Sequence, residues 1–227
     1  MAAPARVAIY YAPLPDDPLT QLSSAWLGRD PITNAPVPQP EWDSIAEITA
    51  EPRDYGFHAT LKPPMRLIHP AAWTDFRHAV HKVAAAIAPF ERPPFAVADL
   101  RGVLALRETN PCPPLQALAD ACVEQLDSFR APPSQDELVR RRKANLSAEQ
   151  DAMLVRWGYP YMFSTWFFHM TLTRRLSDAE KAVILPAAET WFAPALTNPR
   201  RVQDICIFTQ PTAGAPFNLA ERIKLLG

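Results

Sequence analysis

The chain has 227 residues, 48% of them hydrophobic and 21% charged, with a formal net charge of -1 and a pI near 6.5. That length buries a substantial core and fits one large domain or two intimately joined lobes, while no run approaches the roughly eighteen apolar residues of a membrane span. A near-neutral balance gives no global attraction for a polyanion, so stable DNA binding is not expected and a small anionic ligand is easier to accommodate. Cys112, Cys122 and Cys206 form neither an even disulfide framework nor a C-x-x-C knuckle, which points to a reducing compartment and to packing roles for all three. The stretch Met1 to Pro13, with its single Arg6 and short apolar run, reads as a first strand and not as a secretory signal, so a cytoplasmic location is expected.

In chain order, Arg6 to Ala12 alternates and stops at Pro13, a strand that sends Tyr10 and Tyr11 to opposite faces and one phenol towards a site. Leu19, Leu22, Ala25 and Trp26 have helical spacing, and Gly28 ends that helix. Pro31 to Pro40 reads as a proline-rich loop. After a strand around Phe57 to Lys62, the segment Pro70 to Ala88 puts Ala72, Trp73, Phe76, Val80, Val83, Ala84 and Ile87 on one helix face that suits the apolar side of a sheet. His78 and His81 lie three apart on it but lack a third ligand, so they and His69 are read as polar-face residues and no metal is expected. Pro89 to Pro94 reads as a turn, Phe95 to Arg107 as a long strand or a hairpin around Gly102, and Leu115 to Phe129 as a helix. Between Pro132 and Pro160, Arg140-Arg141-Arg142-Lys143 is either a solvated helix face or a basic rim that draws phosphate-bearing substrates to a cleft. Trp157 to Tyr161 turns into a second strand, Phe163 to Arg175. Ser177-Asp178-Ala179-Glu180 starts a helix that runs to about Phe192, and Val202 to Thr209 with Phe217 to Leu225 form a closing hairpin around Gly214 and Pro216.

Within this order one string occurs twice, as Phe57-His58-Ala59-Thr60-Leu61-Lys62 and Phe168-His169-Met170-Thr171-Leu172-Thr173. Two F-H-x-T-L strings arise by accident in about one such chain in a million. Strand alternation puts His58, Thr60 and Lys62 on one polar face, and His169, Thr171 and Thr173 on another. The duplicated order of strands and helices predicts an α+β fold: one domain over residues 1–227, built of two lobes carrying motifs at 55–67 and 163–176 and joined by a basic segment at about 132–160. Two antiparallel sheets would face a central cleft, with helices packed on the outer faces. Two imidazoles across a cleft suit phosphodiester cleavage, one taking a proton from water and the other giving one to the departing alkoxide. Thr60 and Thr171 can donate to non-bridging phosphate oxygens, Lys62 adds a positive charge opposite the neutral Thr173, and Arg175 stands one step further out. This arrangement demands neither a metal nor another cofactor. Serine and cysteine nucleophiles are disfavoured because there is no G-x-S-x-G and no cysteine near either histidine, and a glycine loop for phosphate is absent from the sequence.

Paired H-x-T motifs in duplicated lobes resemble the 2H phosphoesterase superfamily, also called LigT-like, which includes RNA 2′,3′-cyclic phosphodiesterases and relatives acting on other cyclic phosphates. More of the chain, from Ala8 to Pro13, Trp26 to Asp30, Tyr55 to Lys62, Arg156 to Tyr161 and Phe168 to Thr173, is similar to a bacterial branch often encoded with phosphonate-utilisation genes. The resemblance implies a metal-independent phosphoesterase with His58, Thr60, His169 and Thr171 as its catalytic set. It also implies a small phosphorylated substrate such as a ribosyl cyclic phosphate or a nucleoside 2′,3′-cyclic phosphate, connected with phosphonate metabolism. Tyr11, Arg29, Tyr159 and Tyr161 lie in the branch-specific stretches and are expected to shape the pocket of a monomeric protein. Two alternatives stay open: a non-catalytic binding protein for a phosphorylated metabolite or RNA end, and an RNA 2′,3′-cyclic phosphodiesterase, against which the modest charge argues.

Overall fold

A computed structural model of the chain describes residues 3–69, 72–198 and 200–227. Strand β1 (Arg6–Tyr11) turns Val7, Ile9 and Tyr11 to the main core and Ala8 and Tyr10 to the opposite face. Helix α1 (Pro18–Leu27) opens at Asp17, whose side chain accepts from the Leu19 N–H at 2.8 Å, and closes at Gly28 in the left-handed conformation, φ 79°. Two short helices, α2 (Ile45–Ile48) and α3 (Ala50–Tyr55), fill a stretch without apolar periodicity and lead into the first motif strand, β2 (Ala59–Met65). The amphipathic segment folds as α4 (Ala72–Ala85), burying Phe76, Val80, Val83 and Ala84; Pro70 and Ala71, where the expected helix began, lie outside the described residues.

The Pro89–Pro94 stretch, expected as a turn, contains a short strand, β3 (Phe90–Arg92). It is followed by β4 (Phe95–Leu100) and β5 (Val103–Glu108), whose hairpin turn places Arg101 at φ 55° and Gly102 at φ 93°. Positive φ at both central residues is what a tight two-residue hairpin needs. Helix α5 (Pro113–Leu126) is succeeded by α6 (Gln135–Arg142) and α7 (Ala148–Trp157), each opened by a reciprocal Ser/Glu or Ser/Gln capping box. The second motif strand, β6 (Met170–Arg175), starts later than expected because Phe163–Thr165 forms a 3₁₀ turn. Then come α8 (Asp178–Leu196), which starts at the predicted Ser177 cap, β7 (Arg200–Val202), and the closing hairpin of β8 (Asp204–Gln210) and β9 (Asn218–Lys224).

The class is α+β, with one large antiparallel sheet in the order β4-β5-β6-β2-β1-β8-β9 and a small sheet of β3 and β7. Helices α1, α4, α5 and α8 pack on one face through the main core. The two strand sets join edge to edge in one sheet, where two separate sheets facing a cleft were expected. They are also interleaved, since β8 and β9 from the end of the chain extend the half that holds the first motif. Their seam is a single bridge, Ala59 opposite Met170. Two indoles add to it: Trp166 Nε1 donates to the Thr60 carbonyl at 2.9 Å, and Trp26 Nε1 to the Leu172 carbonyl at 3.0 Å.

Candidate active site

His58 and His169 occupy the residue just before β2 and just before β6, next to the bridge that joins the two strands. Each ring is held by the same device. The Nδ1–H of His58 donates to the Gly56 carbonyl at 2.8 Å, and that of His169 to the Phe167 carbonyl at 3.1 Å. A carbonyl can only accept, so Nδ1 carries the proton and Nε2 is left as the free lone pair in the neutral ring. Thr60 Oγ1 lies 3.4 Å from Nε2 of His58. Tyr10 stacks on the His58 ring, with centroids 3.6 Å apart and planes inclined by 19°.

Burial drives the electrostatics of both rings. It lowers the His58 pKa to about 4, against the opposing bond to Gly56 and with a smaller push from the charge on His169. Burial also lowers His169, against its bond to Phe167 and with help from Arg107. In the free protein both imidazoles are therefore drawn towards the neutral form.

The two histidines line one cavity of about 540 Å³ with Thr60, Thr171 and Thr173, a size that suits a small-molecule ligand. The Thr173 hydroxyl accepts from the Leu104 N–H at 3.1 Å, so it also anchors β5 to β6. Arg175 lines the cavity and donates to the Arg101 carbonyl. Arg140 and Arg141 line it as well, whereas the next residue, Arg142, turns to Asp151 at 2.7 Å and Lys143 is exposed. The basic segment is thus divided, with Arg140 and Arg141 at the cavity and Arg142 and Lys143 turned to its exposed side.

Four expected site residues lie elsewhere. Between the Tyr10–Thr60 and Ile9–Lys62 pairs, β2 carries one more residue than β1. This bulge cancels the alternation and puts Lys62 on the helix side with Leu61. There its ammonium, on a side chain 1% exposed, meets Asp127 and the Val123 carbonyl, both at 3.2 Å. Tyr11 falls on the core face of β1, edge-on to Phe168 at 5.6 Å, and Tyr10 takes the cavity side. Arg29 is 7% exposed and is a structural tie, donating to the carbonyls of Arg53, Asp54 and Phe217 and to the side chains of Asn34 and Asn218. Tyr161 packs against Tyr159 and Phe167, and it is Tyr159 that lines the cavity.

Sequence reasoning missed Arg6, Tyr55 and Arg174, all of which line the cavity. Arg6 had a usable signal, because it shares the parity of Tyr10 on β1. Tyr55 had no signal in periodicity, but it opens the stretch Tyr55 to Lys62 that carries the family resemblance. Arg174 is neutralised by Glu47 and Glu180 at 2.5 and 2.9 Å. Among the described residues no group of three or more His, Cys, Asp and Glu comes together to hold a metal, and His81 bonds Glu221 at 2.8 Å.

Solved structures similar in fold include Escherichia coli LigT complexed with 3′-AMP (TM-score 0.48, 14% identity, 99% of each chain). Another is the Usb1 of Kluyveromyces marxianus (TM-score 0.39, 8% identity, 98% of each chain). Two curated relatives are named ribose 1,5-bisphosphate phosphokinase PhnN. The one from Janthinobacterium sp. (strain Marseille) is 38% identical over 98% of this chain and 51% of its own length. The one from Laribacter hongkongensis (strain HLHK9) is 35% identical over 97% of this chain and 52% of its own. The chain therefore spans about half the length of these relatives. A family described as "Protein of unknown function (DUF1045)" matches residues 60–218. With most of its length inside that match, and both H-x-T threonines within it, the chain belongs to the DUF1045 family.

Proposed function

We propose that the protein is a phosphoesterase of the 2H type that opens a small cyclic phosphodiester of ribose, with His58 and His169 as base and acid. The observation that carries this reading is the pair of histidines at one cavity, each held by an Nδ1–carbonyl bond of the same kind that leaves its Nε2 as the unprotonated nitrogen. Water attacks phosphorus in line with the leaving ring oxygen. One imidazole takes the water proton as the new P–O bond forms, and the other protonates the departing sugar oxygen as the old bond breaks, leaving a phosphomonoester. His58, the ring that burial holds neutral down to about pH 4, fits the base. His169 then carries the proton that leaves with the alkoxide, its imidazolium favoured by the bound phosphate anion. Thr60 and Thr171 offer hydroxyls to the non-bridging oxygens, where charge is concentrated.

A ribose substrate is supported by the ribose 1,5-bisphosphate in the names of the curated relatives. It also accords with the expected tie to phosphonate metabolism. The phosphokinase in those names is an activity of proteins about twice as long. No G-x-x-x-x-G-K-[ST] string occurs in this sequence, so the cavity is read as a phosphoester site and not as a nucleotide cradle.

The experiment is a turnover screen of ribose 1,2-cyclic phosphate and nucleoside 2′,3′-cyclic phosphates, with and without EDTA, on the native chain and on His58→Ala and His169→Ala. The expected result is chelator-indifferent hydrolysis that falls about 10²- to 10⁴-fold in each variant. With a diester whose leaving group is an acidic phenol, His169→Ala should lose much less than His58→Ala. Full activity in either variant on the sugar substrates refutes the reading.

A further inference from the structure

The positive charge gathered at the cavity exceeds what opening a cyclic diester requires. Such a substrate carries one negative charge, and the histidines and threonines already face its phosphorus. The same wall nevertheless takes in Arg6, Arg140, Arg141 and Arg175, with Glu51 as the acidic lining residue. Arg174, the remaining guanidinium there, is neutralised by Glu47 and Glu180.

Arg140 and Arg141 make no ion pair among the described residues, and Glu137 reaches Arg141 only through its longer-range charge. Arg141 rests on the ring of Tyr159, 4.8 Å from its centroid. Arg6 is held by the neutral Gln210 side chain at 2.7 Å and lies over Phe217. Where the same helix turns a cation outward, the following helix α7 supplies a partner, since Arg142 pairs with Asp151 at both oxygens. Cations that outnumber the anions of a concave wall repel one another and raise the local potential, an arrangement that a bound anion resolves. Tyr10 adds a second sign of a missing ligand: fully buried, it lines this cavity, and its hydroxyl has no hydrogen-bond partner. Tyr55 and Tyr159 stand in the same lining, three phenols that suit sugar hydroxyls and phosphate oxygens.

We propose that Arg141, with Arg140 and Arg6 beside it, forms a second anion subsite that receives a phosphomonoester. The substrate is then a cyclic phosphodiester whose sugar bears an additional phosphate, and the product is a sugar bisphosphate. The inference rests on the phosphoesterase reading for its reaction but not for its binding site. Arginine is the side chain to expect there, because its fork meets two phosphate oxygens at once.

The test compares ribose 1,2-cyclic phosphate with and without a 5-phosphate, on the native chain, Arg141→Met and Arg141→Lys, with thermal melts to establish folding. The native chain should prefer the phosphorylated substrate in kcat/KM. That preference should shrink about 10- to 100-fold in Arg141→Met, the worth of a charged hydrogen bond, and less in Arg141→Lys. It should also weaken with salt. No preference in the native chain, or the same preference in Arg141→Met, overturns the subsite.

If neither compound is turned over, the catalytic reading fails and the subsite is judged by calorimetry with ribose 5-phosphate. Binding to the native chain that weakens at least about tenfold in Arg141→Met sustains it. No binding, or equal binding to both, overturns it. Should Arg141→Met not fold, Arg140→Met and Arg141→Lys supply the same comparison.

Discussion

Replacing Asp127 by alanine removes a carboxylate that holds two cations, the Lys62 ammonium at 3.2 Å and the Arg130 guanidinium at 2.8 and 3.0 Å. Burial lowers the Lys62 pKa, opposed by Asp127. Burial alone would raise the Asp127 carboxyl, yet the bond from Arg130 and the charge of Lys62 outweigh it and hold the group below its ordinary value. Both ions thus depend on the contact. Without Asp127, Lys62 keeps only the Val123 carbonyl at 3.2 Å inside the core. Breaking a buried pair on one side costs about 3–5 kcal/mol; the Asp127 side chain is 15% exposed, so the lower end, about 3 kcal/mol, is the expectation. Lys62→Met removes the charge but retains the stem, and Asp127 stays paired with Arg130. Its expected cost is within about 1 kcal/mol, since well-packed apolar replacements of buried ions are often neutral. Urea unfolding followed by tryptophan fluorescence gives both numbers. The same variant separates a structural lysine from a substrate-binding one, because Lys62→Met should keep kcat/KM within a few-fold. A loss of 100-fold or more at unchanged stability would refute the placement of Lys62 outside the site, and a cost below about 1 kcal/mol for Asp127→Ala would refute the buried-pair argument.

Stability should depend on His58 between pH 6.5 and about 4. Its folded pKa lies below its unfolded one, so the unfolded chain binds the extra proton in that window. Stability is full above 6.5 and declines as pH falls, by up to about 3 kcal/mol, and by nearer 1 if the ring edge open to the cavity is partly hydrated. Melts of the native chain and His58→Gln at pH 7.5 and 4.5 check this; an equal acid loss in both proteins would contradict it. Gly56→Ala should destabilise the fold and lower kcat together. At φ 72° a new Cβ would stand 2.7 Å from the Cβ of Pro31, and the Gly56 carbonyl that orients His58 must move. Hydrolysis at the native rate would contradict that link. Trp166→Phe removes the indole bond to the Thr60 carbonyl, one of the few ties across the seam, and should reduce kcat more than it raises KM. A change confined to KM would show that the seam does not set the spacing of the histidines.

What the sequence disclosed and what it withheld divide along hydrogen-bond register. Alternation within one strand is a local property, and it is enough to bring Thr60 and Thr171 to the cavity face and to send Phe57, Leu61, Phe168 and Leu172 into the core. Lys62 fails by the same rule, because whether alternation continues past Leu61 depends on how β2 pairs with β1, and the one-residue bulge belongs to the pair and not to either string. The choice between Tyr10 and Tyr11 is of this kind too: one strand shows that the phenols diverge, but not which side the helices cover. Arg29 needed still more distant knowledge, for its acceptors come from α3 and the start of β9, far along the chain. The interleaved sheet has the same origin, since the hairpin of β8 and β9 looks like the end of a second lobe until β1 is seen to pair with β8. The repeated motif escapes this limit through its own backbone. Each histidine is oriented by the carbonyl two residues before it, so the feature that fixes both rings is local, one residue upstream of each six-residue string, and survives whichever sheet receives it.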